Sequence, residues 1–340
     1  ELASMHQKMV IDEVQKAPKL MSAIKLQVDR DRDRRYVLSG SAHLLLMKAV
    51  SETLAGRALY FELMPFTLGE ETDNPPPDWL VDGRPDAATL DAGSKRDPIT
   101  PERLFRGALP PVTFLDKPDQ MAAWWDGYVR TYLERDLRDL SQIANLPEFR
   151  KAMALLASRT GQILNAADVA RSAGLSQATV GRYINLMETG GLFARLQPFS
   201  RNVSKRIVKS PKIFCLDTGL ACSLSGIRSP GAIDPSFRGQ LFETLVFQHL
   251  AAIAAATGGQ IYYLRKQGGL EREIDFLIET DGRILTVEVK GSEKVGLKDA
   301  GNMMHMKDML PDWHAGLVIY NGKEVKKLRK DVWAAPISTL

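Results

Sequence analysis

A two-residue turn, Asp281-Gly282, constrains the fold of this chain more than any other feature of its sequence. Asp-Gly between two apolar runs is a strong signal for a tight β-hairpin. With these two residues as the loop, one face of the hairpin is apolar and is expected to face the core, with pairs Ile274–Val289, Phe276–Val287 and Ile278–Leu285. The same register places Asp275 opposite Glu288 and Glu273 opposite Lys290.

The polar face of this hairpin predicts a metal site. Two carboxylates directly opposite each other, with Cβ atoms about 4.5–5.5 Å apart, destabilise a hairpin unless a cation lies between them. Mg²⁺ prefers carboxylate and water ligands, so we predict that Asp275 and Glu288 bind it, with Glu243 of the preceding helix as a further ligand. Lys290 lies on the same face and would position the attacking water or stabilise developing negative charge. The predicted catalytic residues are therefore Asp275, Glu288 and Lys290.

The order of elements around the hairpin carries a resemblance. A helix at 239–256 precedes strands at 261–264, 273–279 and 284–290, a helix at 297–310 and a strand at 316–320. This αβββαβ order, with Glu243, Asp275, Glu288 and Lys290 in an E…D…ExK pattern, resembles the core of the PD-(D/E)xK nuclease superfamily. The resemblance implies a Mg²⁺-dependent nuclease-like domain. Two alternatives are a half-exposed hairpin whose outer face is simply polar, and a metal site that serves binding without cleavage.

Two short apolar runs near the N-terminus each end in polar residues. Residues 9–11 precede Asp12 and Glu13, and residues 36–38 precede Ser39. Buried parallel strands deliver side chains in this way to the carboxyl edge of an α/β sheet. In an ATPase the first carboxylate would hold Mg²⁺ through water, and the second would polarise the attacking water. The alternative is a core strand that ends in two solvated acids.

Further motifs follow in a characteristic order. Gly56-Arg57 comes after a helix, and a third apolar strand is expected at 59–63. This order resembles a large family of prokaryotic AAA-type ATPases with a C-terminal domain of unknown function, which implies ATP and Mg²⁺ as cofactors. The resemblance implies three roles: Walker B carboxylates (Asp12 and Glu13, with Glu13 catalytic), a polar sensor (Ser39) and the arginine of a Gly-Arg signature (Arg57). The alternative for Arg57 is a surface cation at a helix end.

The phosphate-binding loop of such ATPases is absent from this chain. The one Gly-Lys pair, Gly322-Lys323, is followed by Glu324 and lacks the earlier glycine of a G-x-x-x-x-G-K-[ST] loop. We therefore expect a segment upstream of Glu1 to be missing. Because the phosphate-loop strand would lie between the sensor strand and the last strand, the three N-terminal strands are not expected to form one continuous sheet.

A Pro-, Asp- and Gly-rich stretch, 74–111, predicts a linker or insertion. Residues 128–137, YVRTYLERDL, then match a signature of the same ATPase family and predict an amphipathic helix. Residues 206–220 match another family segment. Within it, Asp217-Thr218-Gly219 predicts a structural turn from a strand into a helix capped by the aspartate.

Residues 149–216 show the pattern of a winged helix-turn-helix. Asn165 and Ser176 are suitable N-caps for helices at 166–172 and 177–188, and strands are expected at 192–199 and 207–216. The second helix has a predicted buried stripe of Leu175, Val180, Ile184 and Met187.

This pattern predicts a DNA-binding surface. The exposed side of the second helix would place Gln177, Thr179 and Arg182 in a major groove. Cations of the following loop would contact phosphates: Arg201, Lys205 and Arg206, helped by Lys209 and Lys212. The alternative is a winged helix that packs against the ATPase region as a coupling module.

Composition narrows the protein class. The chain is 44% hydrophobic and 25% charged, as in ordinary globular proteins, and its net charge of +4 permits nucleic-acid contact. We expect no signal peptide, and the sequence has no run of about 20 apolar residues that could span a membrane. Cys215 and Cys222 are too few and too far apart for a CxxC motif, so a reducing cytoplasm is predicted.

Together these patterns predict an α/β protein with four regions. They are an incomplete P-loop ATPase core (1–72), a linker or insertion (73–120), a helical and winged helix-turn-helix region (121–217), and an αβββαβ restriction-endonuclease-like domain (218–340). The predicted function is that of an AAA-type ATPase acting on nucleic acid. The alternative is a non-enzymatic switch that binds DNA or a partner and carries an inactive nuclease fold. DNA, another protein and a second copy of the chain remain open as partners.

We predict that the purified 340-residue chain does not hydrolyse ATP, because it has no loop to hold the phosphates. Phosphate release from ATP should equal the protein-free background with and without Mg²⁺. A Mg²⁺-dependent turnover that is lost in Glu13→Gln would contradict this prediction.

Overall fold

The computed structural model describes residues 6–40, 54–74, 79, 85–86, 89–90, 97–131, 143, 145–200, 210–266 and 271–340. Helices and strands in these residues form a mixed α/β protein. The helices are α1 (Pro18–Arg30), α2 (Pro101–Arg106), α3 (Pro110–Thr113), α4 (Pro118–Tyr128), α5 (Leu146–Ala157), α6 (Ala166–Ala173), α7 (Gln177–Thr189), α8 (Thr218–Leu224), α9 (Pro235–Thr257) and α10 (Gly301–Met306). The strands are β1 (Lys8–Ile11), β2 (Arg35–Leu38), β3 (Gln162–Ile163), β4 (Phe193–Leu196), β5 (Lys212–Cys215), β6 (Gln260–Lys266), β7 (Arg272–Thr280), β8 (Arg283–Lys290), β9 (Trp313–Tyr320), β10 (Lys326–Arg329) and β11 (Val332–Pro336).

The N-terminal segment is a small β-α-β unit. Strands β1 and β2 pair in parallel, with Ile11 opposite Leu38, and α1 connects them. A separate hydrophobic cluster, formed by Val14, Met21, Ile24 and Leu54, holds the helix against the strands. The two predicted strands and their parallel direction are therefore present.

Two details of the N-terminal prediction are wrong. Residues 59–63 do not form a strand, and Leu59, Phe61 and Leu63 are 85–96% exposed. Strand β1 is not covered on both faces either, since Val10 is 72% exposed. A strand requires a neighbour to satisfy its backbone N–H and C=O groups, and the sheet of β1 and β2 includes no third strand among the described residues.

A buried aspartate joins the middle of the chain to α8. Asp217 caps α8 by accepting hydrogen bonds from the backbone N–H groups of Gly219 (2.7 Å) and Leu220 (3.1 Å), as the sequence predicted. Its second oxygen accepts a hydrogen bond from the N–H of Ala108 at 2.7 Å. Because Gly107 has no side chain and a positive φ of 81°, the chain can approach this carboxylate closely.

Helices α5, α6 and α7 pack beside a three-stranded antiparallel sheet of order β3-β5-β4. The side chains of Asn165 and Ser176 accept hydrogen bonds from the N–H groups of Asp168 and Thr179, so both predicted N-caps are confirmed. Val180, Ile184 and Met187 are buried as predicted, and Leu175 is partly buried.

The C-terminal region is a six-stranded mixed sheet of order β10-β11-β9-β8-β7-β6. Helix α9 begins at an Asp234 cap followed by Pro235 and ends at Gly258 in the left-handed conformation. It packs on β6 and β8, while α10 contacts β7. All the helices and strands expected here are present, with β10 and β11 added at the sheet edge beyond β9.

The β7–β8 hairpin has the predicted register from Phe276–Val287 to Thr280–Arg283. The alternative of a half-exposed hairpin is wrong, because both faces are covered. Phe276, Leu285 and Val287 belong to the main core, and Leu277 and Ile284 pack with Met306 and Leu310. Helix α10 and the segment after it cover the face that would otherwise be exposed.

The main hydrophobic core is continuous from the middle helices into the C-terminal sheet. It includes Leu104 and Trp125, then Phe214 of β5, and then Phe247 and Phe276. Phe214 stacks on Phe247 with ring centroids 4.3 Å apart. The region around β5 therefore shares its core with the C-terminal sheet. Within the described part of the chain, no helix combines the length and hydrophobicity that crossing a lipid bilayer requires.

Gly219→Ala should destabilise the protein. A Cβ at this position would lie 2.5 Å from Trp125 Nε1 and 2.6 Å from the backbone oxygen of Arg106. Overpacking of this kind costs about 1–3 kcal/mol, so the thermal midpoint should fall. Gly239→Ala is the matched control, because a Cβ there meets nothing within 4 Å and alanine favours a helix by about 0.5–1 kcal/mol. Equal melting temperatures for the two variants would contradict this account.

Candidate functional site

A β-bulge in β7 positions Asp275. Leu264 of β6 pairs with Ile274, but Tyr262 pairs with Leu277, so Tyr263 alone lies opposite Asp275 and Phe276. A bulge of this kind interrupts the ladder and re-aims side chains. The β7–β8 ladder ends at Phe276 and Val287.

The predicted pairs nearest the site are therefore corrected. Asp275 does not pair with Glu288 in the ladder, nor does Ile274 pair with Val289, nor Glu273 with Lys290. Instead, Asp275 Oδ2 accepts a hydrogen bond from the N–H of Val289 at 2.8 Å. Beyond the end of the ladder, the carboxylate of Asp275 thus accepts the hydrogen bond from the Val289 N–H in place of a backbone oxygen of β7. Asp275 therefore still lies beside the end of β8.

Glu288 and Lys290 form an ion pair at the end of β8. Lys290 Nζ lies 2.9 Å from Glu288 Oε1, as expected for two residues on one face of a strand. Burial, and next the charge of Asp275, raise the pKa of Glu288 to about 8. The other oxygen, Oε2, is buried and has no hydrogen bond of good geometry among the described residues, although the Asn302 side chain lies near enough to lower the pKa of Glu288.

A second cation, Lys212 of β5, lies among the remaining carboxylates. Its ammonium is 2.6 Å from Glu273 Oε1, 2.9 Å from Glu243 Oε1 and 3.9 Å from Asp275 Oδ1. Lys212 is only 3% exposed, so the prediction that it helps to bind phosphates on the protein surface is wrong. Burial alone would lower the pKa of Lys212, but the three carboxylates outweigh it and raise that pKa.

Glu243 reaches this group from α9. Burial, followed by the charge of Asp275, raises the pKa of its carboxyl to about 7, although Lys212 opposes the effect. Burial also raises the pKa of Asp275. Glu243, Asp275, Glu288 and Lys290 are therefore brought together as predicted, and sequence reasoning missed the roles of Lys212 and Glu273. The one sequence signal for the burial of Lys212 is the apolar run that follows it, residues 213–215.

The charges of this group do not balance. Arg265 pairs with Glu273 (4.0 Å) and Glu271 (2.7 Å) and belongs to the same group. Complete ionisation leaves two uncompensated negative charges, because five carboxylates (Glu243, Glu271, Glu273, Asp275 and Glu288) face three cations (Lys212, Arg265 and Lys290). A divalent cation would neutralise them, and Glu288 Oε2 is a suitable additional ligand. The residues present therefore suit Mg²⁺ in the chemical type of their side chains. Within the described residues, however, no three His, Cys, Asp or Glu side chains already form a group that could hold a metal ion.

A cavity of about 520 Å³ lies next to the group. It is lined by residues 161–163, Lys212, Arg265 and residues 271–273. Gly161 has only a hydrogen as its side chain, and a Cβ there would lie 3.5 Å from Glu243 Oε2. The carboxylates are thus adjacent to a space that solvent and ions can enter.

The N-terminal candidates form a separate group. Ser39 Oγ donates a hydrogen bond to Asp12 Oδ1 at 2.5 Å, and this bond lowers the pKa of Asp12. Glu13 pairs with Lys16 at 2.7 Å. Arg57 does not join these residues, because its Nε lies 2.6 Å from Asp29 Oδ1. The two predicted strand ends therefore meet, while the arginine is held by α1.

The predicted nucleic-acid residues are only partly described. Arg182 is exposed on α7, with its guanidinium 5.6 Å from the centre of the Tyr183 ring. Gln177 is exposed as well, whereas the Thr179 hydroxyl lies 2.9 Å from the capping Ser176 hydroxyl. Arg201, Lys205 and Arg206 lie outside the described residues.

Glu288→Gln should stabilise the protein increasingly as pH rises. Folding raises the pKa of Glu288 from 4.5 to about 8, so the folded state binds more protons than the unfolded state between these values. The wild-type protein therefore loses stability as pH rises through this range, whereas the neutral amide does not. In EDTA, the melting temperature of the variant minus that of wild type should increase by about 2 °C or more from pH 5 to 9. Glu324→Gln, at an exposed position, should show no such trend, and a constant difference for Glu288→Gln would refute the assignment.

Three family models match consecutive parts of the chain. An AAA domain matches residues 1–72, a domain of unknown function, DUF8612, matches residues 98–231, and another, DUF4143, matches residues 238–340. The AAA match agrees with the parallel β1–β2 pair that brings Asp12 and Ser39 together. A solved structure, protein VC1899 from Vibrio cholerae, aligns over 98% of this chain and 88% of its own at 12% identity, but its TM-score of 0.23 supports no inference.

Uncharacterized proteins from three bacteria resemble nearly the whole chain. Rv2008c of Mycobacterium tuberculosis and Mb2031c of Mycobacterium bovis are each 31% identical over 331 residues, which are 96% of this chain and 67% of theirs. A protein from Haemophilus influenzae is 22% identical over 88% of this chain and 69% of its own length. In this chain, the AAA domain is followed by a region that matches DUF4143. The chain therefore belongs to the same AAA-type, ATPase-like family as Rv2008c and Mb2031c.

Proposed function

We propose that this chain is part of an AAA-type ATPase that acts on nucleic acid, and that its C-terminal sheet carries a Mg²⁺-dependent nuclease-like site. The observation that supports this most is the group formed by Asp275, Glu288 and Lys290 at the end of the β7–β8 ladder. Glu243 approaches the same group from α9. The order helix, three strands, helix, strand supports the same class of domain.

In this proposal each residue has a distinct task. Asp275, Glu288 and Glu243 hold Mg²⁺, which when bound supplies a polarised water and charge neutralisation at a phosphodiester. Lys290 remains charged beside Glu288 and stabilises negative charge that develops on the phosphate.

The ATPase part of the proposal concerns the longer protein. Asp12 and Glu13 would serve as Walker B carboxylates, with Ser39 as the sensor and Arg57 as a nucleotide-facing arginine. The contact between Ser39 and Asp12 supports the first assignment. Since Arg57 is paired with Asp29, its role would require release from that pair.

Incubating supercoiled plasmid with the chain tests the nuclease proposal. We expect Mg²⁺- or Mn²⁺-dependent nicking that EDTA abolishes. Lys290→Ala should lower the rate by about 10²-fold or more, as removal of a charge-stabilising group does. Lys323→Ala is the matched control, because this exposed lysine pairs with the exposed Asp97 and lies outside the group. Equal nicking rates for wild type and Lys290→Ala would contradict the nuclease proposal.

The second candidate is a non-enzymatic regulator that binds DNA through a winged helix. The order of α5, β3, α6, α7, β4 and β5 is typical of that fold, and α7 exposes Arg182 and Gln177. The plasmid experiment separates the two candidates. Retention of DNA that weakens steeply with salt, without any cleavage, would favour the regulator, with Arg201, Lys205 and Arg206 as the expected phosphate contacts.

A further inference from the structure

Lys212 is the most buried cation of the acidic group, and it comes from outside the C-terminal sheet. Its side chain is 4% exposed and is surrounded by carboxylates of α9 and β7. Strand β5 carries it from the three-stranded sheet into contact with Glu243 and Glu273. The ammonium group of Lys212 therefore takes the position that a bound cation would take, because it supplies positive charge to buried carboxylates.

We propose that Glu243, Glu273 and Asp275 bind a divalent metal ion in exchange for the ammonium of Lys212. This extends the metal site of the proposed function, on which it rests, by adding Glu273 as a ligand and Lys212 as the competing cation. The carboxylate oxygens now lie 2.6, 2.9 and 3.9 Å from Nζ. Metal–oxygen distances are about 2.0–2.6 Å for Mg²⁺ and Ca²⁺. The three oxygens must therefore close in around the ion, since within the described residues they do not already form a group that could hold a metal.

Two observations outside the three carboxylates favour a metal ligand set over a purely structural ion pair. The first is Glu288, whose side chain is 6% exposed and whose Oε2 makes no hydrogen bond of good geometry among the described residues. The second is the adjacent cavity of about 520 Å³, lined by both Lys212 and Glu273. A hydrated ion can reach the group from this cavity, and the flexible lysine side chain can move into it.

Charge makes the exchange favourable. The ammonium contributes one positive charge where full ionisation leaves two negative charges uncompensated. A divalent ion binds more strongly to clustered carboxylates than an ammonium does, but it must displace Lys212 before it can bind. Lys212 therefore lowers the metal affinity of the site and sets the metal concentration at which it fills.

The test measures Mn²⁺ binding to the 340-residue chain by isothermal titration. Lys212→Met removes the competitor but keeps the length of the side chain, so Mn²⁺ affinity should rise about tenfold or more. Lys212→Arg retains a competing cation and is the matched control, with affinity close to that of wild type. Adding Glu273→Gln to Lys212→Met should abolish the gain. Unchanged or weaker Mn²⁺ binding by Lys212→Met would overturn the proposal.

Thermal melting covers the case in which Lys212→Met folds poorly without metal, because its carboxylates then lack a counter-charge. We expect a lower melting temperature than wild type in EDTA and a larger increase on addition of Mn²⁺. Failure of Mn²⁺ to restore the folded variant would also overturn the exchange.

The outcome is independent of cleavage. If Lys212→Met binds Mn²⁺ more tightly than wild type but the protein cleaves no plasmid, the exchange is supported and the nuclease proposal is contradicted. If the wild-type protein cleaves plasmid but Lys212→Met binds Mn²⁺ no more tightly than wild type, the nuclease proposal is supported and the exchange is contradicted.

Discussion

The ion-pair group around Lys212 connects the three-stranded sheet to the C-terminal sheet. A buried ammonium is stable only when carboxylates surround it, and removal of one partner from such a group typically costs about 3–5 kcal/mol. Glu243 on α9 and Glu273 on β7 are those partners. Because Phe214 of the same strand stacks on Phe247 of α9, apolar packing and ion pairing fix β5 in one position. The geometry of the candidate site follows from that position.

The segment after the N-terminal unit is attached to the same helix. His249 of α9 accepts a hydrogen bond from the N–H of Leu68 through Nε2 at 2.7 Å, and Gln248 donates to the backbone oxygen of Phe66. Glu71, in turn, pairs with Arg103 and Arg106 of α2. One helix therefore contacts the end of the AAA-type segment at one part of its length and the carboxylate group at another. This arrangement offers a direct physical link between the two regions, which the proposed function requires.

Much of the local structure could be predicted from short-range patterns. Asp281-Gly282 determined the register of the hairpin, since a two-residue loop allows only one alignment of the strands that follow it. Asn165, Ser176 and Asp217 were recognisable as helix caps because their hydrogen bonds reach only two or three residues along the chain. The acidic and basic residues of the E…D…ExK pattern were also found, because Glu288 and Lys290 share a strand face.

The errors concern features that depend on distant residues. Residues 59–63 have an apolar, strand-like sequence, but a strand also needs a backbone partner, and that information is not local. The bulge at Asp275 depends on the pairing of β7 with β6, not with β8, so the hairpin alone could not predict it. Lys212 was expected to help the loop cations bind phosphates, because the carboxylates that bury it lie 31 and 61 residues further along the chain.

The sequence by itself determined most of the elements, three helix caps, the hairpin register next to its turn and the types of side chain available for metal chemistry. Only the tertiary structure decided which charges meet. Local patterns depend on backbone geometry within a few residues, whereas the environment of a charge depends on everything packed around it. Lys212 illustrates the difference: its sequence context is that of a surface cation, and its place in the fold is between the carboxylates of a candidate metal site.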